Sequence, residues 1–325
     1  CYVLFMLFPI YTAITSLDEL YSTFDQLSVE GGWHRKRDAL WAEPHKNFVP
    51  YIWHYAQIKP ALDAAGPLVD HAMADRRNVT LTNPIEGNTY ATVRTLVGAY
   101  QMIRPGEVAK AHRHTPAALR IILEGRGTYT VVEGKRVEMR PGDVLLTPSF
   151  MWHEHAYDGP PGDDCYWVDV LDVPLIHLLE PMFFERHPTG TQADPEDLDE
   201  AAIAFRHADS MARLDAAQSC ETGMADREIE LGAPAMPTVA LHVQRMASGF
   251  RSATCQTTAN SIFTVLEGSG VTLVDGVELA WQAGDVFAVP CWRPYSHVVV
   301  DRAHLIRASD SPVMAALGLL RTTIT

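Results

Sequence analysis

Gly106-Glu107-Val108-Ala109-Lys110-Ala111-His112-Arg113-His114, followed by Pro141-Gly142-Asp143-Val144 and by Pro148-Ser149-Phe150-Met151-Trp152-His153-Glu154-His155, is the part of the chain whose reading decides the fold. Five residues separate Gly106 from His112. Five residues also separate Gly142 from Pro148, and His153 lies five positions beyond Pro148. Side chains alternate along a strand, so His112 and His114 point to one face and can reach one ion. A third imidazole about forty positions later completes a metal triad: His112, His114 and His153 are the expected ligands. Around them, Val79-Thr80-Leu81, Tyr90-Ala91-Thr92-Val93 and the run Leu119 to Val132 alternate or are β-branched, with Gly and Pro between them. That texture predicts many short strands.

The pattern occurs twice. Leu123-Glu124-Gly125-Arg126-Gly127 matches Leu266-Glu267-Gly268-Ser269-Gly270, an offset of 143. Pro141-Gly142-Asp143-Val144 matches Ala283-Gly284-Asp285-Val286, and Pro148 matches Pro290, both at an offset of 142. The chain therefore reads as mainly β: two small barrels from one duplicated unit, with helical segments before and between them. The expected divisions are a mostly helical segment over 1–75, a metal-bearing barrel over 76–173, a helical linker over 174–237 and a second barrel over 238–325. The acidic stretch Asp194 to Glu200 reads as a solvated helix start. Carried across the repeat, His112 falls on Cys255, His114 on Thr257 and His153 on Tyr295; His155 alone keeps its type, as His297. The second barrel is thus expected to be metal-free.

At 325 residues the chain is long enough for a substantial core, and 47% of it is hydrophobic. A formal net charge of −14 with no basic run argues against a nucleic-acid surface. Five cysteines without a CxxC pair point to a reduced, cytoplasmic setting. The apolar stretch Cys1 to Thr15 lacks a basic leader and is broken by Pro9; a packed helix or oligomer contact is expected there rather than a signal peptide or membrane span. His34, His45, His54, His71, His177, His187, His207, His242 and His304 stand singly and read as ordinary polar residues.

Three neutral imidazoles suit Fe(II), Zn(II), Mn(II), Ni(II) or Cu(II). The two-part glycine-histidine pattern resembles the cupin signature, in which a glutamate ligand often follows the second histidine with three or four residues between. Here those places hold Ala118 and Leu119, and Arg120 comes next. An ion held by neutral ligands keeps its full charge and favours an anionic, chelating substrate such as a 2-hydroxybenzoate. Arg120, inside an apolar strand, can pair with the carboxylate. Without the glutamate, an isomerase or decarboxylase cupin is disfavoured. A non-enzymatic storage or sensor protein would not need the triad beside Arg120 and His155.

The run Ala111-His112-Arg113-His114-Thr115-Pro116-Ala117-Ala118-Leu119-Arg120, with Arg76-Arg77, Asn83-Pro84, Gln101, Trp152 to His155 and Trp167 to Asp172, resembles the gentisate 1,2-dioxygenase family. That family includes salicylate, substituted-salicylate and 1-hydroxy-2-naphthoate dioxygenases. The resemblance implies a bicupin, usually a homotetramer, with one Fe(II) per chain held by His112, His114 and His153. It implies ring cleavage between the carboxyl- and hydroxyl-bearing carbons, with both atoms of O2 incorporated. Arg120 and Arg76 would bind the substrate anion. His155 and Gln101 would contact substrate oxygens or dioxygen, with His155 placed to carry the phenolic proton. Asp169 would orient an Arg or His, or serve a strand end. Some members carry Trp where this chain has Val97, which marks Val97 as a pocket residue bearing on ring substituents. Gentisate is the expected substrate; salicylate, a 5-substituted salicylate such as 5-nitrosalicylate, or 1-hydroxy-2-naphthoate is the alternative.

Overall fold

Strands dominate the computed structural model, which describes residues 14–34, 39–69, 77–158, 163–192, 199–232 and 236–325. The chain divides into two units, Cys1–Pro44 and His45–Thr325. In the first, helix α1 (Leu17–Leu27) starts at Ser16, whose Oγ accepts from the backbone N–H of Glu19 at 3.2 Å. Glu19 reaches back to the N–H of Thr15 at 2.8 Å, so both ends of the first turn are satisfied. The apolar stretch before Ile14 lies outside the described residues.

The second unit runs β1 (Tyr51–Trp53), α2 (Tyr55–Leu68), β2 (Arg77–Thr80), β3 (Val97–Ile103), β4 (Val108–His114), β5 (Ala118–Glu124), β6 (Thr128–Val132), β7 (Lys135–Glu138), β8 (Val144–Thr147), β9 (His153–Tyr157) and β10 (Cys165–Leu171). It continues with α3 (Val173–Leu179), β11 (Phe184–Arg186), β12 (Ala204–Phe205), α4 (His207–Ala216), β13 (Arg227–Leu231), β14 (Ala240–Met246) and β15 (Cys255–Thr257). Last come β16 (Ser261–Val274), β17 (Val277–Gln282), β18 (Val286–Val289), β19 (Tyr295–Ser309), α5 (Ser311–Ala316) and β20 (Thr322–Ile324). The first half builds a sheet ordered β12-β8-β5-β10-β3-β2 and a second ordered β11-β4-β9-β6-β7; the other half builds one nine-stranded sheet.

Strand alternation sorts the cores. On the six-stranded sheet Ile103, Ile122, Leu145 and Trp167 face inward and pack with Val132, Val137 and Tyr157 of the five-stranded sheet. The intervening residues Tyr100, Leu119, Ile121, Val168 and Val170 face outward and pack against Ile262, Val286, Ala288 and Ile306 of the second half. Both faces of this sheet are therefore buried, which explains why its strands read as apolar runs. The second half closes its own interior with Phe263, Trp281, Phe287 and Tyr295.

The repeated motifs have structural duties. At Gly125 (φ +95°) an added Cβ would strike Cys165, and at Gly268 (φ +91°) the carbonyl of Arg302. The carboxylate of Asp143 accepts from the N–H of His207 at 2.8 Å, at the start of α4; that of Asp285 accepts from the N–H of Tyr55 at 2.9 Å, at the start of α2. Each repeated Asp thus caps a helix arriving from a distant part of the chain.

The segments expected as helical hold strands as well. β1 lies within 1–75 and pairs with β18 of the second half. Within 174–237, β11 pairs with β4, β12 with β8 and β13 with β14. Thus β1-α2-β2 and β12-α4-β13 are copies of one arm, and each arm lends its first strand to the other half's sheet. Strands of two to five residues are fixed by the edge they join, not by their own alternation. Residues 193–198, most of the acidic stretch, lie outside the described residues.

Candidate metal centre and ring pocket

β4 and β9 are antiparallel neighbours, and their register sets His112 opposite His153. Alternation brings His114 to the same face as His112. The ring centroids lie 4.3 Å apart for His112 and His153, and 4.8 Å for His114 and His153. One nitrogen from each of the three lies within 4.8 Å of the others, and all three residues are buried; among the described residues this is the one His/Cys/Asp/Glu cluster so arranged.

The backbone fixes which nitrogen faces inward. Nδ1 of His112 lies 2.9 Å from the carbonyl of Lys110, Nδ1 of His114 lies 2.8 Å from that of Pro116, and Nδ1 of His153 lies 3.0 Å from that of Met151. A carbonyl only accepts, so each Nδ1 carries the proton and each Nε2 offers its lone pair. The buried Nε2 of His153 has no hydrogen-bond partner in the protein. Burial and the positive charge of Arg120 hold His153 well below the usual imidazole range, so it stays neutral and able to ligate. An orphaned buried nitrogen among neutral imidazoles is what a divalent ion would complete, so the donor set fits a metal.

The third ligand is positioned from the loop before it. Phe150 takes a left-handed conformation (φ 63°), and its N–H donates to the carbonyl of His114 at 2.9 Å. That bond ties the loop before His153 to the strand carrying the first pair. A non-glycine residue in this region costs about 1–2 kcal/mol, which the fixed geometry offsets. Arg113, between the two histidines, points away: it pairs with Glu185 at 2.6 Å and stacks over Phe150 and Trp152.

The other expected residues follow the same sorting. Val97 and Gln101 on β3, Arg120 on β5, and Asp169 on β10 share the inward faces that carry Ile103, Ile122 and Trp167. His155 lies two residues beyond His153 on the same face, with ring centroids 5.9 Å apart. Arg120 is 1% exposed; its guanidinium donates to Thr147 Oγ1 at 2.6 Å and lies 3.4 Å from Asp169, its register partner on β10. Arg76 lies outside the described residues. Its neighbour Arg77 is buried, pairs with Glu107 and donates to the carbonyl of Val69.

Two contributors were not read from the sequence. Thr147 sits in an apolar strand and is identified only by the reach of Arg120. Phe184, on β11, stacks beside His112 at 5.5 Å. Its pattern gives no sign that it returns to the metal strand.

Comparison with known proteins agrees with this geometry. The Cupin domain model matches residues 99–170, which hold all three histidines. A 5-aminosalicylate 1,2-dioxygenase of Comamonas sp is 32% identical over 94% of this chain and 90% of that protein. A gentisate 1,2-dioxygenase of Streptomyces sp is 33% identical over 94% of this chain and 95% of that protein. The chain belongs to this family of ring-cleaving 1,2-dioxygenases. The crystal structure of a salicylate 1,2-dioxygenase from Pseudaminobacter salicylatoxidans superposes with a TM-score of 0.84 at 28% identity, covering 95% of this chain and 97% of that one. The same enzyme has been crystallised with gentisate. Membership makes this protein an oxidoreductase of the cupin fold, and its triad is the place for a metal cofactor. No helix among the described residues is long and apolar enough to cross a membrane.

Proposed function

We propose that the protein is an Fe(II)-dependent dioxygenase that opens the ring of a 2-hydroxybenzoate between the carboxyl- and hydroxyl-bearing carbons. The observation that carries this reading is a three-imidazole cluster with its Nε2 atoms turned inward, sharing one interior with a buried arginine. Iron held by His112, His114 and His153 would supply a Lewis-acidic centre for two substrate oxygens and an electron route from the ring to dioxygen. Arg120 receives the substrate carboxylate, held for that role by Thr147 and Asp169. His155 takes the phenolic proton as the substrate binds as a dianion. Gln101 offers its amide to substrate oxygen. Val97 bounds the space for ring substituents. Trp167, Ile122 and Tyr157 of the same interior are buried, so these contacts act with reduced competition from water.

Gentisate is the leading substrate, favoured by the gentisate dioxygenase relatives. A salicylate carrying a 5-substituent is the second reading, favoured by Val97, which leaves more room than Trp. A homotetrameric, cytoplasmic enzyme with one iron per chain completes the proposal. The test is oxygen consumption by anaerobically iron-loaded protein given gentisate, salicylate, 5-aminosalicylate, 5-nitrosalicylate and 1-hydroxy-2-naphthoate. Uptake with at least one, matched by loss of the aromatic absorbance, is expected. No uptake with any of them contradicts the proposal.

A further inference from the structure

The second half carries a partly open cavity of about 240 Å³ lined by Arg307, Glu228, His242, Cys255, Thr257 and Met224. Register identifies its place. Cys255 faces Tyr295 as His112 faces His153. Arg307 pairs across strands with both Phe263 and His242, as Asp169 does with Arg120 and Ala99. The cavity therefore occupies the position of the ring pocket, with its chemistry changed. A cation stands where the first half has an anion, and the imidazole of His242 stands where the first half has only the methyl of Ala99.

Arg307 is poorly served by the protein. Beside it stands the phenol of Tyr295, but its Nε has no hydrogen-bond partner, and its nearest carboxylate, Glu228, lies 3.7 Å away, beyond hydrogen-bond length. The other oxygen of Glu228 is taken by the amide of Gln244 at 2.5 Å. Yet 18% of the Arg307 side chain remains accessible, and it is one of the residues lining the cavity. A largely buried guanidinium with open donors facing a cavity is a costly arrangement unless something pairs with it. Nδ1 of His242 also lacks a partner, and burial together with Arg307 keeps that ring neutral.

We propose that this cavity is a second small-molecule site, separate from the metal centre, that takes a monocarboxylate with an apolar body. One guanidinium matches one carboxylate, with two parallel N–H···O bonds. The nearby negative charge of Glu228 disfavours a dianion such as phosphate. Met224, Ala259, Leu320 and Ile324 supply an apolar wall for the rest of the ligand. The site rests on register, charge and space in the second half, and it stands whether or not the first half cleaves a ring.

The test uses 4-fluorobenzoate, followed by its fluorine resonance, with full-length protein carrying His153→Ala and Arg120→Gln so that the first half offers neither metal nor guanidinium. Saturable broadening or shift of the resonance is expected. Adding Arg307→Gln should weaken binding at least tenfold. Thr257→Trp, which fills the cavity without changing charge, should abolish it and decides the matter if the arginine variant does not fold. Absence of saturable binding in the double variant overturns the proposal, as does binding that survives Thr257→Trp or, in folded protein, Arg307→Gln. Displacement of the probe by inorganic phosphate at lower concentration than by benzoate overturns the ligand class.

Discussion

In the first half β4 and β9 bring His112 opposite His153; in the second, β15 and β19 bring Cys255 opposite Tyr295 in the same register. The loop device is also shared. Trp292 repeats the left-handed turn of Phe150 (φ 59° against 63°), and its N–H donates to the carbonyl of Thr257 at 2.7 Å as Phe150 donates to that of His114. The frame that positions a metal site thus persists where the ligands have gone. What differs is the filling. Phe263 replaces Arg120 in the strand register and stacks on Phe287 at 4.8 Å. His297, the one retained imidazole, is tied through Nδ1 to Thr272 at 2.8 Å, and Thr272 in turn accepts from Trp281. Burial pulls His297 down to about 3, so it is a neutral core group. A duplicated scaffold can therefore keep the register and loop geometry of both copies while the imidazole cluster survives in only one.

The contrast can be broken most sharply at the ligands. His114→Ala should eliminate oxygen uptake, whereas Tyr295→Phe should leave it within about twofold, since a lone buried phenol holds at most ~1–2 kcal/mol of hydrogen bonding. Equal losses in the two variants would erase the distinction between the halves. Next in size is the buried cation. Arg120→Gln should lower kcat/KM by about a hundredfold or more, on the order of 3 kcal/mol for a charge-assisted contact, with metal content unchanged. An unchanged kcat/KM would remove Arg120 from substrate binding.

A smaller effect is expected at Val97. Val97→Trp should shift the ratio of kcat/KM between unsubstituted and 5-substituted salicylates by about tenfold, the scale of a steric change in an apolar pocket. The same ratio in both proteins would show that Val97 does not bound the ring. In the second half Phe263→Leu should reduce stability by about 1–2 kcal/mol through lost packing, visible as a lower Tm, while iron content per folded chain stays constant. Loss of iron in that variant would mean that the halves are not separable in function.

The metal strand and the repeat were legible because each rests on a strong local rule, whereas Val97, Gln101 and Asp169 came only from the family resemblance. Two-residue alternation put His112 and His114 together, and constant offsets aligned Asp143 with Asp285. The inward faces of Gln101, Arg120 and Asp169 then follow from register. What was not legible depends on distant pairing. β1 and β12 are three and two residues long, too short for periodicity to reveal, and their exchange between halves is set by the edges of β18 and β8. The same holds for Phe184, brought to His112 by the edge of β4, and for Thr147, a lone hydroxyl in an apolar strand. Arg307 and His242 read as ordinary strand residues until pairing placed them on one interior.

On the proposed function, one half alone of the duplicated fold holds the catalytic metal. Iron per chain, measured on anaerobically reconstituted and desalted wild-type, His153→Ala and Tyr295→Phe proteins, tests it directly. One iron is expected in the wild type, none in His153→Ala and one in Tyr295→Phe. Two irons in the wild type, or one that survives in His153→Ala and is lost in Tyr295→Phe, would contradict it.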